Sequence, residues 1–340
     1  MKLPGDLVPT VVFDTYWRFA AERQAIFFRR IAGATPLTQD PILAQFKFTN
    51  AYRASDRVSQ FLIRHVQYRG DPFPKEVFFR TILFKLFNRI ETWELLEREV
   101  DEVSLRDYHF RRYDDVFDRA MQRGERLYSA AYIMPAASSF EGPRKHSTHL
   151  RFLEHMIARE VPERLADAKS LADAFAVLRA VPMLGDFLAF QYLIDLNYSA
   201  VLNFDEMDYV VPGPGARDGI RKCFASTGRY TEADVIRIMA QHQEGEFDKR
   251  GIAFQSLWGR HLHLIDCQNL FCEVDKYARV AHPDVAGISG RTRIKQAFTP
   301  THRQIDFFYP PKWGINDRVQ STAKTFTPSG QLALPNWGPA

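Results

Sequence analysis

Residues 178–224 read LRAVPMLGDFLAFQYLIDLNYSAVLNFDEMDYVVPGPGARDGIRKCF, and this pattern predicts two apolar helices joined by a tight hairpin. The first helical run ends at Pro182, because proline has no amide proton with which to continue the hydrogen-bond ladder. Gly185 permits the tight turn, and a second apolar helix runs from Asp186 to about Tyr198. Backbone amides left bare at the start of that helix suit an anion such as a nucleic-acid phosphate. The stretch therefore predicts a helix–hairpin–helix unit that contacts DNA at Gly185.

Two acids and a glycine-containing turn follow this hairpin. Asp205 and Asp208 come after the second helix, and the turn VVPGPG at 210–215 leads into a third helix. Such a turn can hold a phosphate at the helix start, and a rigid turn without a ligand is the alternative. The candidate DNA contacts of this region are Gly213, Gly215, Arg217, Arg221 and Lys222.

The whole sequence has the composition of a globular protein. Its 340 residues are 46% hydrophobic and 25% charged, and the net charge of +4 permits nucleic-acid binding without demanding it. Helical periodicity predicts an all-α domain over residues 1–310, followed by an extended or disordered tail over 311–340. Three cysteines indicate a reducing compartment, and the sequence shows no signal peptide or membrane-spanning run. We therefore expect a cytoplasmic protein, and a monomer.

Two groups of polar residues predict a binding pocket. The segment FKFTNAYRASDRVSQ at 46–60 places amide, guanidinium and carboxylate groups three or four residues apart, so a helix would align them on one face. A second group lies in CEVDKY at 272–277. A capped helix start and a salt-bridged helix surface are the respective alternatives. The predicted pocket residues are Asn50, Arg53, Asp56, Gln60, Glu273, Asp275 and Lys276.

No motif in the sequence predicts a metal or a cofactor. Cys267 and Cys272 lack a second close pair, and His261 and His263 would lie on different sides of a helix. Neither a phosphate-binding P-loop nor a GxGxxG fingerprint is present. We accordingly expect no metal and no cofactor.

The hairpin and the acids after it resemble the helix–hairpin–helix DNA glycosylases. In that superfamily an aspartate after the hairpin serves the chemistry; Asp205 has the closer spacing to Gly185, and we favour Asp208 because Asp205 and Glu206 look like an exposed acidic corner. A capping aspartate is the structural alternative for either position. Bifunctional members carry a lysine two residues past the second hairpin glycine. Here that position is Phe187, so the resemblance implies a monofunctional enzyme that uses water.

Most of residues 10–280 also resembles a family of phage and bacterial proteins linked to hypermodified thymine. These are the predicted alpha-glutamyl/putrescinyl-thymine pyrophosphorylases and the helical domain of 5-hydroxymethyluracil DNA kinases. The matching segments are FKFTNAYRASDRVSQ (46–60), FNRIETW (87–93), VPMLGDFLAFQYLIDLNYS (181–199), DYVVPGPGARDGIRKCF (208–224) and LIDCQNLFCEVDKY (264–277). The family has been related to helix–hairpin–helix glycosylases, so the resemblance implies a glycosylase-like fold with two helical lobes around a cleft.

These resemblances lead to two hypotheses of enzymatic function. The first is a monofunctional DNA glycosylase that binds double-stranded DNA containing modified bases. It would flip and excise a hypermodified pyrimidine, such as glucosylated hydroxymethylcytosine, from phage DNA and leave abasic sites, as an anti-phage defence. The alternative is a DNA base hypermodification transferase that displaces pyrophosphate from phosphorylated 5-hydroxymethyluracil with an amine. Its pyrophosphate would need a basic cluster, for which the candidates are Arg53, Arg57, Arg217, Arg221 and Lys222.

A protein that binds modified DNA without catalysis is a third possibility. Substitution of Asp205 or Asp208 separates it from the glycosylase. A binder would keep its function, whereas a glycosylase would lose turnover and retain its affinity for DNA.

Overall fold

The computed structural model describes residues 3–130, 134–135, 139–300 and 305–320, and it is mostly helical. This confirms the helical class predicted from the periodicity. Two short strands, β1 (Val8–Pro9) and β2 (Phe224–Ser226), pair antiparallel. The α-helices are α1 (Val11–Ile31), α2 (Pro41–Gln45), α3 (Arg57–Phe61), α4 (Pro74–Phe87), α5 (Ile90–Glu99), α6 (Phe110–Gln122), α7 (Lys145–Ala158), α8 (Val161–Ala166), α9 (Leu171–Arg179), α10 (Asp186–Tyr198), α11 (Pro214–Cys223), α12 (Glu232–Lys249) and α13 (Leu264–Ala281).

Apolar residues at helical spacing predict a helix from Val11 to Ile31, and α1 has these bounds. The side chain of Thr10 accepts a hydrogen bond from the Val12 amide at 3.1 Å and so caps the helix start. Apolar residues at helical spacing then form one buried face, and the Tyr16 ring lies 4.7 Å from the ring of Phe271 on α13. Burial of this face against α13 stabilises α1.

Helices α11 and α13 lie in backbone contact. A Cβ atom at Gly219 would lie 2.0 Å from the carbonyl oxygen of Phe271, so only glycine fits there. The pair is also tied by an ion pair of 2.9 Å between Lys222 and Asp275, whose side chains are each 2% exposed. Because α13 also packs on α1 and α12, it is the central helix of the fold.

The predicted hairpin is present between α9 and α10. Helix α9 ends at Arg179, the chain turns through Met183 with a φ of +75°, and Gly185 caps the start of α10. Residues 189–198 of α10 are all buried, so this helix lies inside the protein and has no exposed face over that length.

The residues after 305 pack against the helical body. Tyr309, Ile315 and Val319 are buried, and Pro311–Trp313 forms a 3-10 turn. The Lys312 ammonium donates hydrogen bonds to the carbonyl oxygens of Asn197, Ser199 and Leu202, at and just beyond the end of α10. The predicted tail therefore does not begin at residue 311, because apolar burial and these bonds hold residues 311–319. Residues 321–340, the rest of that tail, lie outside the described residues. In the described part of the chain, no helix has the length and apolar character needed to cross a bilayer.

Candidate functional site

A cavity of about 920 Å³ opens between α1, α3, α10 and α13. Ligand pockets typically have volumes of about 300–1,000 Å³, so a nucleotide base with a large substituent can fit. Residues 296–299 run along its edge, where Phe46 and Ala297 form an isolated bridge. The charged and amide side chains that line it are Arg23, Arg30, Lys47, Asn50, Arg53, Asp56, Arg57, Lys85, Asn88, Gln191, Asp195, Asn269, Glu273 and Gln296.

Segment 48–50 lies in one wall of the cavity, where it is at the centre of a network of hydrogen bonds. The Arg23 guanidinium donates to the carbonyl oxygens of Thr49 (2.9 Å) and Phe48 (3.4 Å) and to the Asn50 side-chain oxygen (3.1 Å). The amides of the same segment donate to acids, because Thr49 N lies 3.0 Å from Glu273 Oε2 and Asn50 N lies 2.8 Å from Asp56 Oδ1. Consecutive amides thus hold two carboxylates against one wall of the cavity.

A buried ionic cluster lines the cavity on the side of α10. Asp195, 1% exposed, lies 2.6 Å from Arg53 Nη1 and 3.1 Å from Lys85 Nζ. Burial alone would raise the pKa of the Asp195 carboxyl, but the two cations outweigh burial and hold that pKa below its usual range. Burial, together with the charge of Arg53, lowers the pKa of Lys85. One carboxylate thus pairs with two cationic side chains, so the cluster as a whole carries a net positive charge inside the protein.

Asp56 differs from Asp195 in its electrostatic setting. Burial raises the pKa of its carboxyl to about 7, and the negative charge of Glu273 acts in the same direction. The Asn50 amide and the guanidinium groups of Arg23 and Arg53 oppose that shift without cancelling it. A carboxyl group with a pKa of about 7 can gain or lose a proton at neutral pH.

Four of the seven predicted pocket residues line this cavity: Asn50, Arg53, Asp56 and Glu273. Their functional role remains a prediction. The other three lie elsewhere or point away. Gln60 is buried, where it donates to Ala54 O and accepts from the Phe308 amide. Lys276 bridges Glu273 and the carbonyl oxygen of Lys47. Asp275 pairs with Lys222 and Arg279 inside the helical packing.

The predicted catalytic acids lie outside the cavity lining. Asp205 and Asp208 are both exposed, and Asp205 Oδ1 accepts a hydrogen bond from the Met207 amide at 2.9 Å in a local turn. Glu206, which the sequence suggested to be part of an exposed acidic corner, is 4% exposed. It lies 2.9 Å from Arg260, and that partner explains how an acid can be buried there.

The predicted DNA contacts are also spread over different environments. Gly185, Arg217 and Arg221 are exposed. Cβ atoms at Gly213 and Gly215 would meet the Phe187 ring and Cys272 Sγ, respectively, at 2.9 Å. Lys222 is 2% exposed and paired with Asp275, so its ammonium group is not available to a phosphate in this structure.

Sequence reasoning missed several residues of the cavity, namely Arg23, Arg30, Lys47, Lys85, Gln191 and Asp195. The helical pattern of residues 11–31 predicts a solvated position for Arg23, whereas its guanidinium binds residues 48–50. A signal for two of the others was available, because Lys85 and Asp195 are single charges inside the apolar runs TILFKLF and AFQYLIDLNY. A charge in such a run must be buried, and a buried charge needs a partner of opposite sign. Among the described residues, no group of three or more His, Cys, Asp or Glu side chains is placed to hold a metal ion.

Comparison with known proteins identifies relatives of this chain. A family model described as "5-hmdU DNA kinase, helical domain" matches residues 10–287. A protein of Bacillus phage SP10 named "5-hmdU DNA kinase" is 25% identical over 286 residues, which cover 78% of this chain and 45% of that protein. The chain thus spans a little under half the length of this relative. No solved structure matches.

These findings contradict the prediction of a hydrolytic DNA glycosylase. Both comparisons name a kinase, which transfers a phosphoryl group, and neither names an enzyme that excises bases. The two acids assigned to excision are exposed and outside the cavity, as described above. The alternative hypothesis, modification of phosphorylated 5-hydroxymethyluracil, fits the comparisons better.

Proposed function

Because this chain belongs to the family of the 5-hmdU DNA kinase helical domain, we propose that it is a DNA base hypermodification transferase acting on phosphorylated 5-hydroxymethyluracil. The substrate base would leave the DNA stack and enter the cavity described above. The related phage protein is named for an enzyme that phosphorylates 5-hmdU in DNA, so a phosphorylated base is the product expected of such a relative. The present chain would act on that product.

The observation that supports an anionic ligand most directly is the distribution of charge around the cavity. The basic residues Arg23, Arg30, Lys47, Arg53, Arg57 and Lys85 line it, against the acids Asp56, Asp195 and Glu273. Among the described residues, the hydrogen-bond acceptors of Arg23 are neutral oxygens of residues 48–50, and the acids Asp56 and Glu273 act on it only through their charge. Guanidinium groups bind phosphate oxygens through paired hydrogen bonds. The cavity therefore suits a base that carries a phosphate or pyrophosphate.

In the proposed reaction an amine displaces the phosphorylated leaving group. The amine nitrogen forms a bond to the methylene carbon on C5 of the base, and the bond from that carbon to the phosphate oxygen breaks. The electron pair of the broken bond leaves with the phosphate or pyrophosphate, and the new ammonium group loses a proton. In this proposal the phosphorylated base is the substrate of the step and not its product.

We further infer a helix–hairpin–helix architecture with two helical lobes on either side of the cavity. The hairpin between α9 and α10 supports it, because α10 also contributes Gln191 and Asp195 to the cavity lining. Double-stranded DNA bound by a monomer is the arrangement we expect.

The test of the proposed function uses duplex DNA with one phosphorylated or pyrophosphorylated 5-hydroxymethyluracil. The duplex is incubated with the protein and a panel of primary amines: methylamine, an α-amino acid and a diamine. Mass spectrometry of the digested DNA then reads the modified nucleoside. The expected result is a nucleoside carrying the amine, with release of phosphate or pyrophosphate. A parallel reaction contains a duplex with 5-hydroxymethyluracil that carries no phosphate, together with ATP. Phosphorylation there, without amine transfer in the first reaction, would assign a kinase activity and contradict the proposal.

Replacement of Arg57 by alanine tests whether the basic residues that line the cavity bind the phosphate. Arg57 begins α3 and lines both the main cavity and a smaller neighbouring one of about 330 Å³. Loss of a hydrogen bond to a charged group costs about 1.5–3 kcal/mol, so affinity for the phosphorylated base should fall by roughly 10- to 100-fold. Titration of duplexes with and without the phosphate gives the two affinities. Arg111→Ala, at an exposed position of α6, is the matched control and should leave both unchanged. An equal loss for both duplexes in Arg57→Ala would show that Arg57 does not contact the phosphate.

A further inference from the structure

We propose that Asp56 is the general base of this site, which accepts the proton lost by the amine nucleophile. This inference rests on the proposed function, and it names the group that completes the reaction. Four features of the structure support it: the direction of the Asp56 side chain, its fixed position, its charged neighbours and its exposure to the cavity.

The Asp56 side chain does not have the contact expected at its position in the chain. Asp56 precedes α3, where an aspartate commonly accepts a hydrogen bond from an amide of the first helical turn, yet here the side chain makes no such bond. It turns back to the Asn50 amide at 2.8 Å and lines the cavity. A capping bond typically contributes about 1 kcal/mol, so α3 forgoes that stabilisation at a residue that lines the cavity.

The Asp56 carboxylate is held in place by hydrogen bonds of the Asn50 backbone and side chain. Asn50 is fixed from the other side, because its side chain donates to Ser55 O at 2.8 Å and accepts from Arg23 at 3.1 Å. One oxygen of Asp56 is used by the Asn50 amide, and the residue as a whole is only partly buried. A general base must be positioned within hydrogen-bond reach of its proton, and this arrangement supplies a fixed acceptor at the cavity surface.

Groups from each surrounding element set the proton affinity of Asp56. Arg23 of α1 and Arg53 of the adjacent 3-10 turn favour the ionised form, and Glu273 of α13 favours the protonated form. The Tyr309 hydroxyl, which lies 2.8 Å from Ser55 Oγ, faces the same region from the C-terminal segment. The result is the pKa of about 7 given above, which is suited to proton transfer at neutral pH.

The proton balance of the step is complete with Asp56. As the carbon–nitrogen bond forms and the carbon–oxygen bond to phosphate breaks, the nitrogen becomes positively charged. The ionised Asp56 takes one proton from that nitrogen and becomes neutral, and it later releases the proton to water. The Glu273 carboxylate accepts hydrogen bonds from the Thr49 amide and Lys276, and its negative charge favours a cationic nitrogen nearby.

The deciding experiment is the pH dependence of amine transfer by the wild type and by three variants. With the rate expressed per concentration of unprotonated amine, kcat/KM of the wild type should rise tenfold per pH unit below about pH 7 and then level off. Asp56→Asn should lose this dependence and about 100-fold in kcat, the lower end for loss of a general base, with KM for DNA retained. Glu273→Gln should shift the rise to lower pH, because removal of a negative charge lowers the pKa of Asp56. Asp115→Asn, at an exposed position of α6, should match the wild type.

Two outcomes would overturn the inference. One is an Asp56→Asn variant that keeps the wild-type pH dependence. The other is a titration of the Asp56 carboxyl by carbon-13 NMR that gives an ordinary pKa near 4 in the wild type, a readout that does not need activity. If the wild type transfers no amine while NMR shows the raised pKa, the proposed function fails and the general-base role fails with it. A raised pKa together with a retained pH dependence would reject the general base alone.

Discussion

Replacing Asp195 with asparagine is expected to lower the free energy of unfolding by about 3–5 kcal/mol, measured by chemical denaturation. The carboxylate is 1% exposed, and it pairs with Arg53 at 2.6 Å and with Lys85 at 3.1 Å. An asparagine would leave two positive charges facing each other in a site with little access to water. The cost of an uncompensated buried charge is far larger than that of a lost surface ion pair.

Two further variants separate this explanation from a general sensitivity of α10. Asp186 lies on α10, as Asp195 does, and forms an exposed ion pair with Arg179 of α9. Asp186→Asn removes this pair and should lower the free energy of unfolding by at most about 1 kcal/mol. The double variant Asp195→Asn with Lys85→Met should recover part of the lost stability, because only one cation then remains buried. If the double variant is less stable than Asp195→Asn alone, charge repulsion is not the cause.

Replacing Gly219 with alanine is the second large effect that we expect. In most helix interiors this change stabilises a protein by up to about 1 kcal/mol. Here the new methyl group would lie 2.0 Å from the Phe271 carbonyl oxygen and 2.6 Å from its carbon, so α11 and α13 must move apart. Because both clashing atoms belong to the backbone, no side-chain rotation can relieve the contact. We expect a loss of about 3 kcal/mol or more, above the usual cost of overpacking, in a denaturant titration.

Gly185→Ala is the matched control for this prediction. Gly185 has an ordinary φ of −70°, and a Cβ atom there would meet nothing within 4 Å. Alanine is a poorer helix cap than glycine, so a loss below about 1 kcal/mol is expected. Equal stability of Gly219→Ala and the wild type would show that the two helices can separate at low cost.

The helical content and several helix bounds could be predicted from the sequence. The α1 helix and the two helices of the hairpin follow from apolar spacing and from Pro182 and Gly185 as breakers. The family also followed from ordered segments of the sequence, and the family model confirms it. The glycosylase activity was predicted wrongly, because it rested on a resemblance of the hairpin and on the position of the acids after it, whereas both comparisons name a kinase. Spacing along a chain does not indicate whether a carboxylate faces solvent or a cavity.

The cavity could be predicted only in part, for reasons that differ from residue to residue. Asn50, Arg53 and Asp56 are close in sequence, so one turn of chain brings them together. Glu273 was found because its segment is rich in charge, but the same argument selected Asp275, which points into the helical packing. Neighbours on a helix differ by about 100° in direction, and the sequence alone does not say which direction faces the ligand space.

The sequence by itself determined which segments form helices, where the hairpin turns and to which family the chain belongs. These properties depend on local backbone preference and on the period of apolar residues. Only the tertiary structure decided that Arg23 and Glu273 both bind Thr49, and that Asp195 pairs with Arg53 and Lys85. The electrostatic state of a charged group depends on burial and on partners distant in the chain, and both are fixed by how the helices pack.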